Sequence, residues 1–206
     1  MITFYFIRHA ESKMNTTPHI IGGRSNYTPL TPLGYQQAEA CGLALQKLHV
    51  TPDVVYSSPA VRTQQTAATV LDIAQYHIKP TITPELQELY QGRWEGKLRA
   101  RFYTPATLIK VATQGKCFAA PDGESMQEVG ERMFTWLMQA ARTAHQQHHT
   151  TILVFSHGMA IKCLAGHISN WSHTKIYTTA IPNVSLSTFC VQDTTPTVKK
   201  VGEVII

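Results

Sequence analysis

The chain has 206 residues, of which 43% are hydrophobic and 15% are charged, and its formal net charge is +5. This composition fits one folded domain with a full core and excludes a disordered chain. No apolar stretch reaches the roughly 18 residues of a membrane span, and no basic run exceeds Lys199-Lys200. We therefore expect neither a membrane nor a nucleic acid as partner. The mild basic excess favours anionic ligands.

The first apolar run, residues 2–7, is short and rich in aromatic and β-branched side chains. It predicts a buried strand of an α/β sheet, and Arg8 and His9 follow it directly. Ligands of such sheets bind just beyond the carboxyl ends of the strands. We therefore predict that Arg8 and His9 belong to a functional site. Because these two residues interrupt the run, we expect no signal peptide and a cytoplasmic protein.

Capping signals predict three helices that begin after Thr31, Ser58 and Ser125. Apolar residues at helical spacing mark the face that each helix turns towards the core. These residues are Ala38, Cys41, Leu45 and Leu48 in the first helix, Ala67, Val70, Leu71 and Ala74 in the second, and Val129, Met133, Trp136, Ala140 and Ala144 in the third. A fourth helix is expected over residues 158–167.

Short runs rich in β-formers predict further strands at residues 52–56, 151–156, 184–191 and 198–204. The alternation of strands and helices predicts an α/β fold with three layers, in which a mostly parallel central sheet has helices on both faces. Residues 86–121 do not follow this alternation. We interpret them as an insertion that lies over the strand ends of a single domain covering residues 1–206.

Neither the cysteines nor the clustered histidines favour a metal site. The four thiols have no C-x-x-C spacing and are interpreted as reduced core residues; they are Cys41, Cys117, Cys163 and Cys190. His145, His148 and His149 lie where the third helix should end, and the helix dipole favours partly charged histidines there. The spacing of His145 and His149 would also suit a metal, which is the less favoured alternative.

A second histidine at a strand end completes a composite site. His157 follows the predicted strand 151–156, and Gly158 should begin a helix whose backbone N–H groups attract anions. Arg62, near the start of the second helix, should converge with these groups above the sheet. Arg8 and Arg62 together present bidentate forks suited to phosphate oxygens.

These residue types point to phosphoryl transfer. A neutral imidazole held against a bound phosphate can attack phosphorus and form a phosphohistidine. The leaving alkoxide then needs an acid, and the insertion supplies carboxylates for that role in Glu85, Glu88 and Glu95. Arg24, in the loop 23–29, is either a substrate contact or a solvated charge.

Taken together, the motifs resemble the histidine phosphatase superfamily, which has the phosphoglycerate-mutase-like fold. The matching segments occur in family order and span nearly the whole chain. They are Arg8-His9-Ala10-Glu11-Ser12 with Asn15, Leu30-Thr31 with Gly34 and Gln37-Ala38, Ser57-Ser58-Pro59 with Arg62 and Thr66-Ala67, Glu85-Leu86-Gln87-Glu88 with Gly92-Arg93-Trp94-Glu95-Gly96, Pro121-Asp122-Gly123-Glu124-Ser125, and Ser156-His157-Gly158.

The resemblance implies a role for each of these residues. His9 would be the nucleophile, and Glu88 would be the proton donor and later the base for water. The phosphate pocket would consist of Arg8, Arg62, His157 and Asn15, with the Gly158 backbone beside them. The resemblance implies neither a metal nor an organic cofactor.

The chain departs from the family pattern at two places. Ala10 stands where the family usually has Gly, which requires a negative φ and free space around the methyl group. The loop 23–29 is slightly longer than usual and has Asn26 where Asp is common. Because the loop should border the substrate, this departure bears on specificity and leaves the core chemistry intact.

The pattern around Glu88 resembles the phosphatase branch, since the Glu-Arg-His-Tyr-Gly signature of cofactor-dependent mutases is absent. We therefore predict a metal-independent phosphomonoesterase of the histidine acid phosphatase type, acting on a small phosphorylated metabolite. The two alternatives are a phosphoglycerate-type mutase and a catalytically idle module that binds a phospho-ligand. A homo-oligomer is left as an open alternative to a monomer.

Overall fold

The computed structural model describes residues 1–206 and contains six strands and seven α-helices. The strands are β1 (Ile2–Arg8), β2 (Val54–Ser57), β3 (Thr81–Ile82), β4 (Thr151–Ser156), β5 (Leu186–Gln192) and β6 (Thr195–Glu203). The helices are α1 (Pro32–Lys47), α2 (Val61–Ile73), α3 (Arg99–Phe102), α4 (Pro105–Gln114), α5 (Met126–Gln146), α6 (Gly158–Ile168) and α7 (His173–Thr178). None of these helices is long and apolar enough to cross a membrane.

All six strands form one sheet in the order β3-β2-β4-β1-β5-β6. The first four strands in this order are parallel to one another. At one edge of the sheet, β5 pairs antiparallel with β1, and β6 pairs antiparallel with β5. The predicted α/β fold with a mostly parallel sheet is confirmed. In the central pair β1 and β4, Arg8 lies opposite Ser156. The next residues, His9 and His157, therefore leave the sheet side by side.

The sheet separates two apolar clusters, which together with the helices make three layers. Helices α5 and α6 pack on one face, against Phe4 and Phe6 of β1. Helices α1 and α2 pack on the other face, which includes Ile7. Side chains alternate between the two faces of a strand, so the single run of residues 2–7 supplies both clusters. Apolar residues are therefore needed on both faces of this strand.

The predicted helix start at Ser58 is wrong. Helix α2 begins at Val61 after Ala60, and no side chain caps it. Ser58 is fully buried, and its hydroxyl lies 2.8 Å from Nε2 of His157. The Ser-Pro pattern is therefore followed by a helix, but the serine serves the site instead of the helix end.

Several smaller expectations also need correction. Leu48 is 52% exposed because it lies at the C-cap of α1, beyond the last inward turn. Strand β5 begins at Leu186, because Val184 has a φ of 52°, which lies outside the β region open to a valine. Cys117 is exposed, while the other three cysteines are buried. The segment 86–121 is not one irregular loop, since it contains α3 and α4.

A substitution of Phe6 tests the packing of the apolar cluster between the sheet and helices α5 and α6. Phe6 is fully buried, with its ring centre 6.1 Å from that of Trp136 and 5.1 Å from that of Phe189. Phe6→Ala should lower the free energy of unfolding by about 3–5 kcal/mol, because it removes buried apolar surface and leaves a cavity. Leu43→Ala, at a half-exposed position of α1, should cost no more than about 0.5 kcal/mol. Equal effects in urea unfolding would contradict this packing.

Candidate active site

A cleft of about 450 Å³ opens at the carboxyl ends of the central strands. This is the edge at which parallel α/β sheets bind their ligands. Its lining combines five of the predicted site residues with a short apolar wall. The lining residues are Arg8, His9, Ser12, Met14, Asn15, Pro18, Ile20, Gly22, Gly23, Arg62, Glu88 and Arg99.

His9 is held in one orientation. Its ring Nδ1 lies 2.7 Å from the carbonyl oxygen of Ala10, an acceptor that requires Nδ1 to carry the proton. The side-chain amide of Asn183 donates to the His9 carbonyl at 2.8 Å and anchors the backbone. The remaining nitrogen, Nε2, therefore keeps its lone pair, and it accepts a hydrogen bond from Nε of Arg62 at 3.1 Å.

Arg62 is the hub of the site. Besides His9 Nε2, its guanidinium contacts Nδ1 of His157 at 3.0 Å. It also donates to the carbonyl oxygens of Arg24 and Ser25, at 3.0 and 2.9 Å. The side chain is only 3% exposed. Four contacts from three separate parts of the chain thus fix one buried cation between two imidazoles.

His157 lies behind Arg62 and does not line the cleft. Its Nδ1 faces the guanidinium and therefore accepts, so its Nε2–H donates to the Ser58 hydroxyl. The His157 and His9 rings lie edge to face, with centres 5.2 Å apart. The structure brings the two predicted histidines together, with His157 supporting the arginine that touches His9.

The electrostatics keep both imidazoles neutral. Burial lowers the pKa of His9 well below its ordinary value, and Arg62 and Arg8 lower it further. Burial likewise lowers the pKa of His157, with Arg62 the next cause. Burial also lowers the pKa of Arg62, to about 10, so this guanidinium stays charged at neutral pH. A neutral imidazole nitrogen beside a fixed cation can act as a nucleophile towards a bound anionic group.

Arg8 supplies a second cation to the lining of the same cleft. One terminal nitrogen donates to the carbonyl oxygen of Ile181 at 2.6 Å, whereas the buried Nε has no acceptor in the protein. A buried guanidinium N–H without a partner is rare and indicates an anionic ligand. Gly158 packs beside this side chain, and a Cβ there would make only an ordinary contact with Nε of Arg8, at 3.4 Å. Gly158 itself does not line the cleft.

Glu88 reaches the site from the segment after β3. Its carboxylate accepts from the backbone N–H groups of Met159 and Ala160, at 3.1 and 2.9 Å, at the start of α6. This helix end favours a negative charge. Arg132 holds the backbone of the segment by donating to the carbonyl oxygens of Gln87 and Glu88. Glu88 is therefore fixed opposite Arg8 and Arg62, as the one carboxylate in the lining.

Asn15 and Arg24 differ in their placement. Asn15 lines the cleft, and its side-chain oxygen accepts from the backbone and hydroxyl of Ser12. Its amide nitrogen is the group left to donate to a ligand. Arg24 forms an ion pair with Glu124 at 3.1 Å and stacks 5.0 Å from the ring centre of Tyr90. Its backbone carbonyl, and not its charge, faces Arg62.

Glu95, one of the three carboxylates that the sequence offers as the acid, is not part of the cleft lining and organises the loop 23–29. Its carboxylate accepts from the backbone N–H of Arg24 at 2.6 Å and of Gln91 at 3.1 Å. Gly23 has a φ of +54°, and a Cβ there would lie 2.0 Å from a Glu95 oxygen, so only glycine fits. Its position in the Gly-Arg-Trp-Glu-Gly motif was the signal that could have identified it.

Other residues of the site were missed because their signals are long-range. Ser58, Asn183 and Arg132 act through partners far away in the sequence. Trp94 anchors the insertion, since its ring centre lies within 6 Å of those of Phe102, Tyr103 and Phe118. Ala10 has no positive φ, but its methyl group is fully buried in a core cluster instead of facing free space.

The fold and the cleft define a class of α/β proteins that handle phosphate groups. The chain belongs to the histidine phosphatase superfamily (branch 1), whose model matches residues 4–204. It is 32% identical over 174 residues to a protein assigned as phosphoglycerate mutase GpmB in Enterobacter sp. (strain 638), covering 82% of this chain and 75% of that one.

Two further comparisons represent both activities of the family. A protein assigned as phosphoserine phosphatase 2 in Hydrogenobacter thermophilus is 30% identical over 172 residues, which are 80% of this chain and 78% of that one. The crystal structure of phosphoglycerate mutase from Bacillus anthracis superposes with a TM-score of 0.82 at 25% identity, covering 98% of this chain and 93% of that one. Similarity alone therefore does not separate phosphatase from mutase.

The buried neutral histidines predict a pH dependence of stability. Unfolding returns His157 to an ordinary pKa of about 6.5, above its lowered value in the folded protein. Below about pH 6.5 the unfolded chain thus binds a proton that the folded chain does not, so stability falls by up to about 1.4 kcal/mol per pH unit. Urea unfolding of wild type and His157→Gln, which keeps a donor and an acceptor, should show a smaller loss for the variant between about pH 8 and pH 5.5.

The exposed His145 on α5 provides the control for this measurement. His145→Gln should keep the wild-type pH dependence, because its imidazole is hydrated in both states. If His157→Gln and wild type lose the same stability on acidification, His157 is not a buried neutral imidazole.

Proposed function

We propose that the protein is a metal-independent phosphomonoesterase of the histidine acid phosphatase type, which acts on a small phosphorylated metabolite through a phosphohistidine. One observation carries the proposal: Nδ1 of His9 is fixed on the Ala10 carbonyl, which leaves an unprotonated Nε2 beside the Arg62 guanidinium. An idle binding module would not need a nucleophile oriented in this way.

Substrate binding rests on the two arginines. Arg62 and Arg8 each present N–H donors to phosphate oxygens, and a phosphate over Nε2 of His9 would accept from Nε of Arg62. The unpartnered Nε of Arg8 and the amide nitrogen of Asn15 complete the donor set. His157 serves as the support of Arg62. When substrate binds, Nε of Arg62 passes from Nε2 of His9 to a phosphate oxygen, which frees the Nε2 lone pair for attack. The other contacts of Arg62 keep its positive charge in place to stabilise the phosphoryl group in flight.

In the first half-reaction, the Nε2 lone pair of His9 attacks phosphorus. A P–N bond forms, the ester P–O bond breaks, and Glu88 donates a proton to the leaving oxygen. In the second half-reaction, the Glu88 carboxylate takes a proton from water, whose oxygen attacks phosphorus. The P–N bond then breaks, its electron pair returns to Nε2, and inorganic phosphate leaves.

Glu88 must therefore change its protonation state during the cycle. In the free protein its carboxylate accepts hydrogen bonds from the backbone N–H groups of Met159 and Ala160. As the acid of the first half-reaction, it carries the proton that the leaving oxygen receives, and as the base of the second, it takes a proton from water.

The nucleophile is tested with p-nitrophenyl phosphate. Wild type should release phosphate in the presence of EDTA, and vanadate should inhibit it, since a transition-state mimic binds more tightly than substrate. His9→Ala should lose at least about a thousandfold in turnover, because no neighbouring group can replace the nucleophile. Circular dichroism checks that the variant is folded, and His145→Ala controls for the loss of a histidine.

Two outcomes would overturn the phosphatase proposal. Activity that disappears in EDTA and returns with a divalent ion would instead indicate a metallophosphatase. The mutase alternative is favoured by the similarity to GpmB, and it is tested with 3-phosphoglycerate and catalytic 2,3-bisphosphoglycerate. Isomer exchange much faster than phosphate release would make the protein a mutase, which must shield its phosphohistidine from water.

The acid is tested by the dependence on the leaving group. Glu88→Gln should slow the hydrolysis of both substrates, and the loss on alkyl phosphates should be at least about a hundredfold larger than the loss on p-nitrophenyl phosphate. The leaving group of p-nitrophenyl phosphate hardly needs a proton. Glu85→Gln is the matched control, since Glu85 is exposed and outside the lining of the cleft. Equal losses on both substrates would mean that Glu88 only positions the substrate.

A further inference from the structure

The cleft contains a third cation that the phosphate chemistry does not use. Arg99, the first residue of α3, lines the same cleft as His9 and Arg62. Its Nε donates to the carbonyl oxygen of Pro18 at 3.3 Å, and its backbone N–H donates to His19 at 2.7 Å. Its guanidinium carbon lies 5.0 Å from the ring centre of Tyr103. Arg99 is an exposed residue, and these contacts connect it to the segment of Pro18 and His19 and to the Tyr103 ring.

The charge of Arg99 has no counter-ion. None of the four ion pairs of the molecule involves it. Glu95, the preceding acid, is bound to backbone N–H groups of Arg24 and Gln91. Between Gly96 and Pro121 the chain has five basic residues and no acidic one. The net charge of this segment is therefore the same as the net charge of the whole protein, +5. This segment is therefore strongly basic, and Arg99 is its one residue in the lining of the cleft.

An apolar wall also contributes to the lining of the cleft. Met14, Pro18 and Ile20 form it together with Gly22. Such a surface suits a short carbon skeleton, because burial of apolar groups is favourable without any directional partner. The lining therefore combines a phosphate cradle, an apolar wall and an unpaired guanidinium. Arg101, from the same helix α3, is not part of the lining.

We propose that Arg99 binds a second anionic group, a carboxylate or a second phosphate, at the far end of a substrate whose scissile phosphate lies at His9. The substrate class is therefore a short phosphomonoester with a second negative charge. This proposal rests on the proposed phosphatase function. A planar guanidinium can bind either group with two parallel hydrogen bonds.

The experiment compares Arg99→Gln with the matched control Arg101→Gln. The substrates are ω-carboxyalkyl phosphates of increasing chain length, alkyl phosphates of the same lengths, and the corresponding alkane bisphosphates. Wild type should prefer one length of the doubly anionic esters over the alkyl ester. Arg99→Gln should reduce kcat/KM for that ester about 10- to 100-fold more than for the alkyl ester, mainly through KM, as expected for one lost charge-assisted contact. Arg101→Gln should leave this ratio at the wild-type value.

The carboxylate and bisphosphate arms identify which anion Arg99 binds. Equal losses of kcat/KM on charged and uncharged esters would overturn the proposal, as would a wild-type enzyme without preference for the second anion. If no ester and no p-nitrophenyl phosphate is hydrolysed, the phosphatase function has failed, and calorimetry of the same ligands tests the subsite alone. Tighter binding of the doubly anionic ligand that disappears in Arg99→Gln would then support the subsite, and its absence would overturn it.

Discussion

The site depends on one buried guanidinium. Arg62 is withdrawn from water without a carboxylate partner, an arrangement that costs free energy unless other groups solvate the charge. Two imidazole nitrogens and two backbone carbonyl oxygens provide this solvation. The same cation helps to keep His9 and His157 neutral. Two neutral imidazoles beside a fixed positive charge are therefore a consequence of where this side chain is buried.

The carbonyl groups of Arg24 and Ser25 connect Arg62 to the insertion. Their own N–H groups face Glu95, so one short loop contacts Arg62 with its carbonyls and the insertion with its amides. On the other side, Arg132 ties the backbone of Glu88 to α5. The insertion is therefore joined to His9 through hydrogen bonds to Arg62, and not only through the shape of the cleft.

Local patterns predicted the parts of the site that lie at strand ends. The apolar runs before Arg8 and His157 predicted buried strands, and both strands are present. Ser58 shows the limit of such patterns, because a serine before a proline is typical of a helix cap, yet its hydroxyl faces His157 across 99 positions of the chain. The same limit applied to Glu95, whose neighbours Glu85 and Glu88 have equally suitable carboxylates in the sequence.

By itself, the sequence determined the fold class, the family and the strand-end residues, because strand periodicity, helix caps and motif order are short-range properties of the chain. Only the tertiary structure decided the rest. The register that sets Arg8 opposite Ser156 brings the two histidines together, and packing turns the Arg24 guanidinium towards Glu124 and Arg99 towards the cleft. These outcomes depend on hydrogen bonds and charges between distant segments, and no local pattern encodes which of several equivalent side chains will meet.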